Sequence, residues 1–561
     1  MAQVTIPGLS GPAVTVTGSA GGDVLTLAQL VANALILADT SRGGQGVAGT
    51  ITSITASIAS PPTVAAGGVT ELVVRDTVSG AFTVPSGPSY NYVVVDDPLA
   101  TTITGGNGAF VTNNLSTAST GTFNLTGNVT LLAAGGNNAV NLDSSAVYNV
   151  VTGPGNDVVI ANGAGVINPG AGANTVWAAG SNNSVISSGT DVVVGAGLAT
   201  SVQASGTGTQ IYGLSGDTLV VTLSGSNQVV NAGAASVAVT ATGASAFIAG
   251  GVTSIAGSAG SLNVIDRGTG DTVATFNAPT ANVGVYGSFD YLFGGSGTLN
   301  ATLGGSGNIM LGGSGAATVT AIAGGTPGDT VAVGSGPLTF LGGPDGSVVY
   351  GGAGLLTFVG GAGTSTVVGA TGGEAMTVGG GGLQFSAGVG DVSTITGGAG
   401  AATLFGASNS VINFTGSLSG GGALYVAGSG NETLNAGAGS SNNVLVGGLD
   451  STGHVSLVGG SGNDLALVGS GSDTLSLGSG HDTIAFFKEA TTGQHDFIKG
   501  FNPSNDVLYI LHYDSTQSAS YLQNNATTVG GGVTLTLSDS TQITFTNLTS
   551  ASQLDGKILY A

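Results

Sequence analysis

A nine-residue period constrains this chain more than any other feature. From Gly459 to Ala485 it reads GGSGNDLAL, VGSGSDTLS and LGSGHDTIA. Gly462, Gly471 and Gly480 recur at every ninth position, as do Gly460, Gly469 and Gly478 and the acids Asp464, Asp473 and Asp482. Two residues after each aspartate stands an apolar residue: Ala466, Leu475 and Ile484. Glycine permits the positive φ or close backbone approach that a tight turn needs. Alternating apolar residues point one way along a strand at every second position. A unit this short cannot bury its apolar face alone, so copies must stack on one another.

The period extends far beyond the aspartates. Residues 153–197 divide into nines, of which only GPGNDVVIA carries the full G-x-G-x-D, at Gly153, Gly155 and Asp157. Residues 342–368 divide again, with Ser347, Leu356 and Ser365 in the sixth position. GGSG recurs at 294, 304 and 312 and GGAG at 397. Glycine therefore sets the backbone and alternation sets the strand, and both persist where the acid is lost. There are 105 glycines in 561 residues but no strict period of three and only 14 prolines, which excludes collagen. With 41% hydrophobic and 6% charged residues, disorder is excluded as well.

The expected fold is all-β, a parallel β-roll or β-solenoid on degenerate nonapeptides. Three regions are expected: an N-terminal region (1–100), the glycine-rich solenoid (101–487) and a C-terminal cap (488–561). In the first, the spacing predicts a helix over about 25–38 and strands at 71–76 and 90–97. In the last, residues 530–546 read as a hairpin turning at Ser538, Asp539 and Ser540. Other Gly-Asp pairs, at Asp217, Asp271 and Asp329, read as turn residues.

The three uninterrupted units resemble the G-G-x-G-x-D-x-U-x nonapeptide of the RTX (repeats-in-toxin, hemolysin-type) calcium-binding family. They depart from it at Val468 and Leu477, where the first glycine is missing. The resemblance implies two nonapeptides per coil and Ca2+ held between a loop and the loop two repeats later. The ligand loops would be Gly460, Gly462 and Asp464; Gly469, Gly471 and Asp473; and Gly478, Gly480 and Asp482. By that rule Asp464 faces Asp482, whereas Asp473 meets only Val455 or Thr491. Asp496, Ile498, Phe501, Asp506 and Leu508 fit a D-x-I-x-x-F-x-x-x-x-D-x-L pattern similar to the segment that follows the roll in serralysin-like proteins. This implies a closing region that carries an uncleaved type I secretion signal.

A net charge of −22, with six basic residues in all, excludes nucleic acid as a partner. Cysteine is absent, so there is no disulfide framework. The start, MAQVTIPGLSG, has neither a basic n-region nor an apolar h-region, so export without an N-terminal signal peptide is expected, to the cell surface or beyond. There is no H-E-x-x-H, no G-x-S-x-G and no G-K-[ST] after the glycine runs. Only Arg42, Arg75 and Arg267 precede Lys488, too few for the basic face of a β-helical lyase.

The function expected is a secreted, non-enzymatic, calcium-stiffened rod serving as matrix, surface layer or adhesin. Its partners would be cell-surface polysaccharide or copies of itself. The alternative is a secreted carbohydrate-active or carbohydrate-binding solenoid, disfavoured by a single tryptophan (Trp177) and scattered tyrosines. An ice-binding face needs Thr-x-Thr in regular ranks. VTVTG (14–18), TATG (240–243) and TLTL (534–537) are not in rank, so the sequence argues against one.

Overall fold

The computed structural model describes residues 2–6, 14–18, 52–55, 71–75, 80–84, 92–95, 101–112, 121–133 and 135–560. Within the last span it omits 232–234, 243–244, 250–252, 258–259, 417–421, 449–452, 489–492 and 514–517. The chain forms two compact units, Met1–Val273 and Ala274–Ala561. The expected helix at 25–38 lies outside the described residues. The anticipated strands occur as Glu71–Arg75 and Tyr92–Val95, paired in parallel.

Both units are parallel β-solenoids, as the period predicts. From Val147–Val151 to Val507–Leu511, each strand pairs not with its successor but with the strand after that. Leu465–Leu467 pairs with Thr483–Phe487 in the register Leu465↔Thr483, and Val455–Val458 pairs with Thr474–Ser476. One coil is therefore two strands and two turns, 18 residues at this point. Alternation sends Ala466, Leu475 and Ile484 inward, where all are buried. In the N-terminal unit, Val158–Ala161 and Thr175–Ala178 pair the same way, with Val159 and Val176 inward.

The core is a narrow column of side chains stacked coil upon coil. The rings of Phe340 and Phe358 lie 5.8 Å apart and 10° from parallel, one coil above the other. Close backbone stacking explains the glycines. A Cβ on Gly478 would stand 1.7 Å from the Gly460 carbonyl oxygen, so no side chain fits.

Pairing runs on past Phe487. His495–Lys499 adds to Thr474–Ser476, and Val507–Leu511 adds to Thr483–Phe487. The predicted hairpin is present as Gly532–Thr536 antiparallel to Gln542–Phe545. A six-residue helix, Ala519–Asn524, precedes it, capped by the Ser518 side chain. Neither the nonapeptide period nor the C-terminal motif foretells this helix.

Candidate metal centre at the aspartate ladder

The sixth position of each nonapeptide sits just ahead of a strand, and the register turns its side chain inward. Asp464, Asp473 and Asp482 are accordingly buried, at 3%, 0% and 1% exposure. A buried carboxylate must be hydrogen-bonded or neutralised. Here the partners are backbone amides of the coil before. The amide of Asp464 donates to Asp482 Oδ1 at 2.9 Å, that of Asp482 to Asp506 Oδ1 at 3.0 Å, and that of Asn443 to Asp464 Oδ1 at 2.8 Å. The column begins where the Ala423 amide donates to Asn443 Oδ1 at 3.1 Å.

On the other edge of the coil, the Val455 amide donates to Asp473 Oδ1 at 3.0 Å and the Asp473 amide to Asp496 Oδ1 at 2.8 Å. Asp473 thus stands against Val455 on one side, as expected, but on the other against a carboxylate rather than Thr491. The coil between Asp473 and Asp496 has 23 residues rather than 18, which the nonapeptide count does not foresee. Asp496 and Asp506, read from the sequence as part of a closing motif, are members of the two ladders. Their partners Ile498 and Leu508 are buried just as Leu475 and Ile484 are.

The second carboxylate oxygens differ from site to site. Asp464 Oδ2 accepts from the Gly460 amide at 2.8 Å, and Asp506 Oδ2 from the Asn502 amide at 2.7 Å. Asp482 Oδ2 is buried with no hydrogen-bond partner. The Gly469 amide faces Asp473 Oδ2 without closing a well-formed bond. Burial pushes Asp464 above the usual carboxylate range, opposed by the amides of Asn443 and Gly460. Burial also lifts Asp473 to about 6, opposed by the Val455 amide. Asp482 rises to about 6, through burial first and the neighbouring Asp506 and Asp464 carboxylates in addition. Asp496 rises to about 7, again chiefly by burial.

The predicted ligand residues separate into two sets. Gly460, Gly462, Asp464, Gly478, Gly480 and Asp482 lie on one edge, because the strands that follow them pair directly. Gly469, Gly471 and Asp473 lie ahead of Thr474–Ser476, on the other edge. Calcium requires six to eight oxygens. The donor set fits best at Asp482, whose second carboxylate oxygen is buried and unpartnered. The Gly460 and Gly462 carbonyls lie against Gly478 and Gly480, where a Cβ would meet them at 1.7 and 2.2 Å. Asp464 fits less well, because amides already occupy both of its oxygens.

Sequence reasoning missed how far such ladders extend. In the N-terminal unit the Asn138 amide donates to Asp157 Oδ1 at 2.6 Å, Asp157 to Asn174 Oδ1 at 2.8 Å, and Asn174 to Asp191 Oδ1 at 3.1 Å. Asp157, set apart in the sequence, is the middle of a column. Asp329 likewise accepts from the Asn308 amide at 3.0 Å. The available signal was an Asn or Asp ahead of each strand, about one coil apart, rather than an Asp at every ninth residue.

A polar cavity of about 470 Å³ opens on the outer side of the C-terminal unit and is lined by residues including Asn431, Thr433, His454, Ser456 and Lys499. No aromatic ring lines it apart from the His454 imidazole. In comparisons with known proteins, no family model matches this chain and no curated protein matches it. Fold and ladder therefore define the class, a parallel β-solenoid of β-roll type with inward carboxylate columns.

Proposed function

We propose that this chain is a secreted, non-enzymatic, calcium-binding solenoid that serves as an extracellular structural or adhesive element. The observation carrying the reading is the unpartnered buried oxygen of Asp482 within glycine turns that leave carbonyls close at hand. A buried anion without a counter-charge is costly, and either a proton or a cation relieves that cost. Gly460, Gly462, Gly478, Gly480 and Asp482 would hold the ion on one edge, and Gly469, Gly471 and Asp473 a second on the other. Bound calcium would supply positive charge and cross-link successive coils. Calorimetry on the full chain tests this: calcium should bind in the micromolar-to-millimolar range and Asp482→Asn should abolish the tighter site. Absence of binding over that range removes calcium from the proposal.

Export would follow from the resemblance of residues 488–561 to type I secretion regions. A host carrying a type I exporter should release the full chain, and the same host without it should retain it. Retention in both refutes the export reading. Partners on this view are surface polysaccharide or further copies of the chain. A carbohydrate-binding reading is favoured only by the polar cavity around His454 and Lys499. Lys499→Ala would weaken polysaccharide retention on that reading and leave calcium binding unchanged.

A further inference from the structure

Register reveals an order on the outer surface that the sequence conceals. In the C-terminal unit, one of the two sheets carries an outward row that runs Thr302↔Thr320, then Leu341↔Val359, then Thr377↔Thr396↔Thr415. Two residues earlier on the same strands lies a second row, which includes Asn300↔Thr318↔Thr339↔Thr357 and Thr394↔Asn413. The strands thus present T-x-T or N-x-T side by side: Asn300 with Thr302, Thr318 with Thr320, Thr394 with Thr396, Asn413 with Thr415. None of these positions is charged, in a chain whose net charge is −22. None carries an aromatic ring either; Phe340, Phe358 and Phe414 on these strands all point inward.

We propose that this ranked face binds ice. Successive strands of a sheet stand ~4.7–4.9 Å apart, so hydroxyls in one row repeat at that interval. Tetrahedral water with O–H···O contacts of about 2.75 Å places second-neighbour oxygens about 4.5 Å apart. The row spacing therefore matches the ice lattice closely enough for a rank of hydroxyls to sit among lattice oxygens. Threonine adds a methyl beside each hydroxyl and is stiff at χ1; Val359 retains the methyl.

Several of these side chains are already fixed. Asn300 Nδ2 donates to Asn282 Oδ1 at 3.0 Å, and Asn435 Nδ2 to Asn413 Oδ1 at 3.1 Å. The hydroxyls of Thr396 and Thr415 lie 3.5 Å apart. Ordering a surface before it binds lowers the entropic cost of binding. A sugar-binding face would instead be expected to offer ranked rings for stacking, and here a single ring, Tyr286, lies beside the first strand over Gly284. Among the described residues most acids are buried in the inward columns, and no charged residue stands in the two rows.

The test is thermal hysteresis and ice-growth shape with the full-length protein. Growth should halt over a measurable interval below the melting point, with faceted crystals. Thr320→Lys, Thr377→Lys and Thr396→Lys together should remove most of that interval while the circular dichroism stays unchanged. Thr366→Lys and Thr403→Lys, outward on the opposite sheet, should leave it intact. No hysteresis at millimolar protein, or equal loss in both variant sets, overturns the proposal. So does retention on crystalline cellulose or chitin without any effect on ice, which would identify the face as a polysaccharide surface.

Discussion

Between Ser347 and Ala423 the inward position ahead of each strand on one edge is held in turn by Ser347, Ser365, Leu383, Ala402 and Ala423. Between Asn443 and Asp506 the same column holds Asn443, Asp464, Asp482 and Asp506. Both stretches form the same coil, but their turn amides find different acceptors. The Leu383 amide donates to the Ala401 carbonyl at 2.9 Å and the Ser365 amide to the Gly382 carbonyl at 3.3 Å. The Asp464 amide donates instead to a side chain, Asp482 Oδ1. The turn needs an acceptor, not an acid. A buried carboxylate where a carbonyl suffices is an expense the fold does not require, and that supports a role in holding a cation.

The largest effect is expected at the glycine turns. Gly478→Ala would drive a Cβ into the Gly460 carbonyl and cost about 3 kcal/mol or more, at the top of the overpacking range. Gly380→Ala, just ahead of Leu383 in the column without acids, meets nothing closer than 3.8 Å. It should be neutral or stabilise by about 0.4–1 kcal/mol. Denaturant unfolding of both variants checks the pair, and equal losses would refute the stacking argument.

Next in size is the acceptor itself. Asp482→Ala leaves the buried Asp464 amide unpaired and should cost about 1–3 kcal/mol without metal. Asp482→Asn keeps an oxygen there and should fall within about 1 kcal/mol of the parent, yet lose the calcium response. Ser365→Ala, which removes a buried hydroxyl with no hydrogen-bond partner, should change stability by less than about 0.5 kcal/mol. Amide hydrogen exchange over residues 443–511 and 347–423 would show whether each loss stays in its own stretch.

A further effect is a pH dependence. Burial lifts Glu432 to about 7 and Asp329 to about 6, each opposed by backbone amides. These values stand above the ~4 of the unfolded chain, so the folded state binds protons more tightly. The stability these groups contribute is fully present below pH ~4 and lost as pH rises through about 6 to 7. Metal-free protein should therefore resist denaturant better at pH 5 than at pH 8, and Glu432→Gln should flatten the part near pH 7.

Strand and turn were legible because glycine and alternation act locally. Val159, Ala466, Leu475 and Ile484 point where their spacing says they must. Coil length was not legible. Thr302 and Thr320 are 18 residues apart, but Thr320 and Leu341 are 21, Thr377 and Thr396 are 19, and Asp482 and Asp506 are 24. Side chains that share a row are set by backbone pairing, and insertions in the turns erase the count. This is why the threonine ranks stayed hidden, and why Asp496 and Asp506 read as a separate motif instead of as further rungs.

The ladder is also directional. Each rung leans on a side chain from the coil that follows, so any coil short of its successor keeps an unanswered donor. Asp506 ends the series on one edge, because its own amide turns back to the Asn502 carbonyl at 2.8 Å. On that edge the column carries its own stop, and it leaves no open rung for a neighbouring molecule to extend.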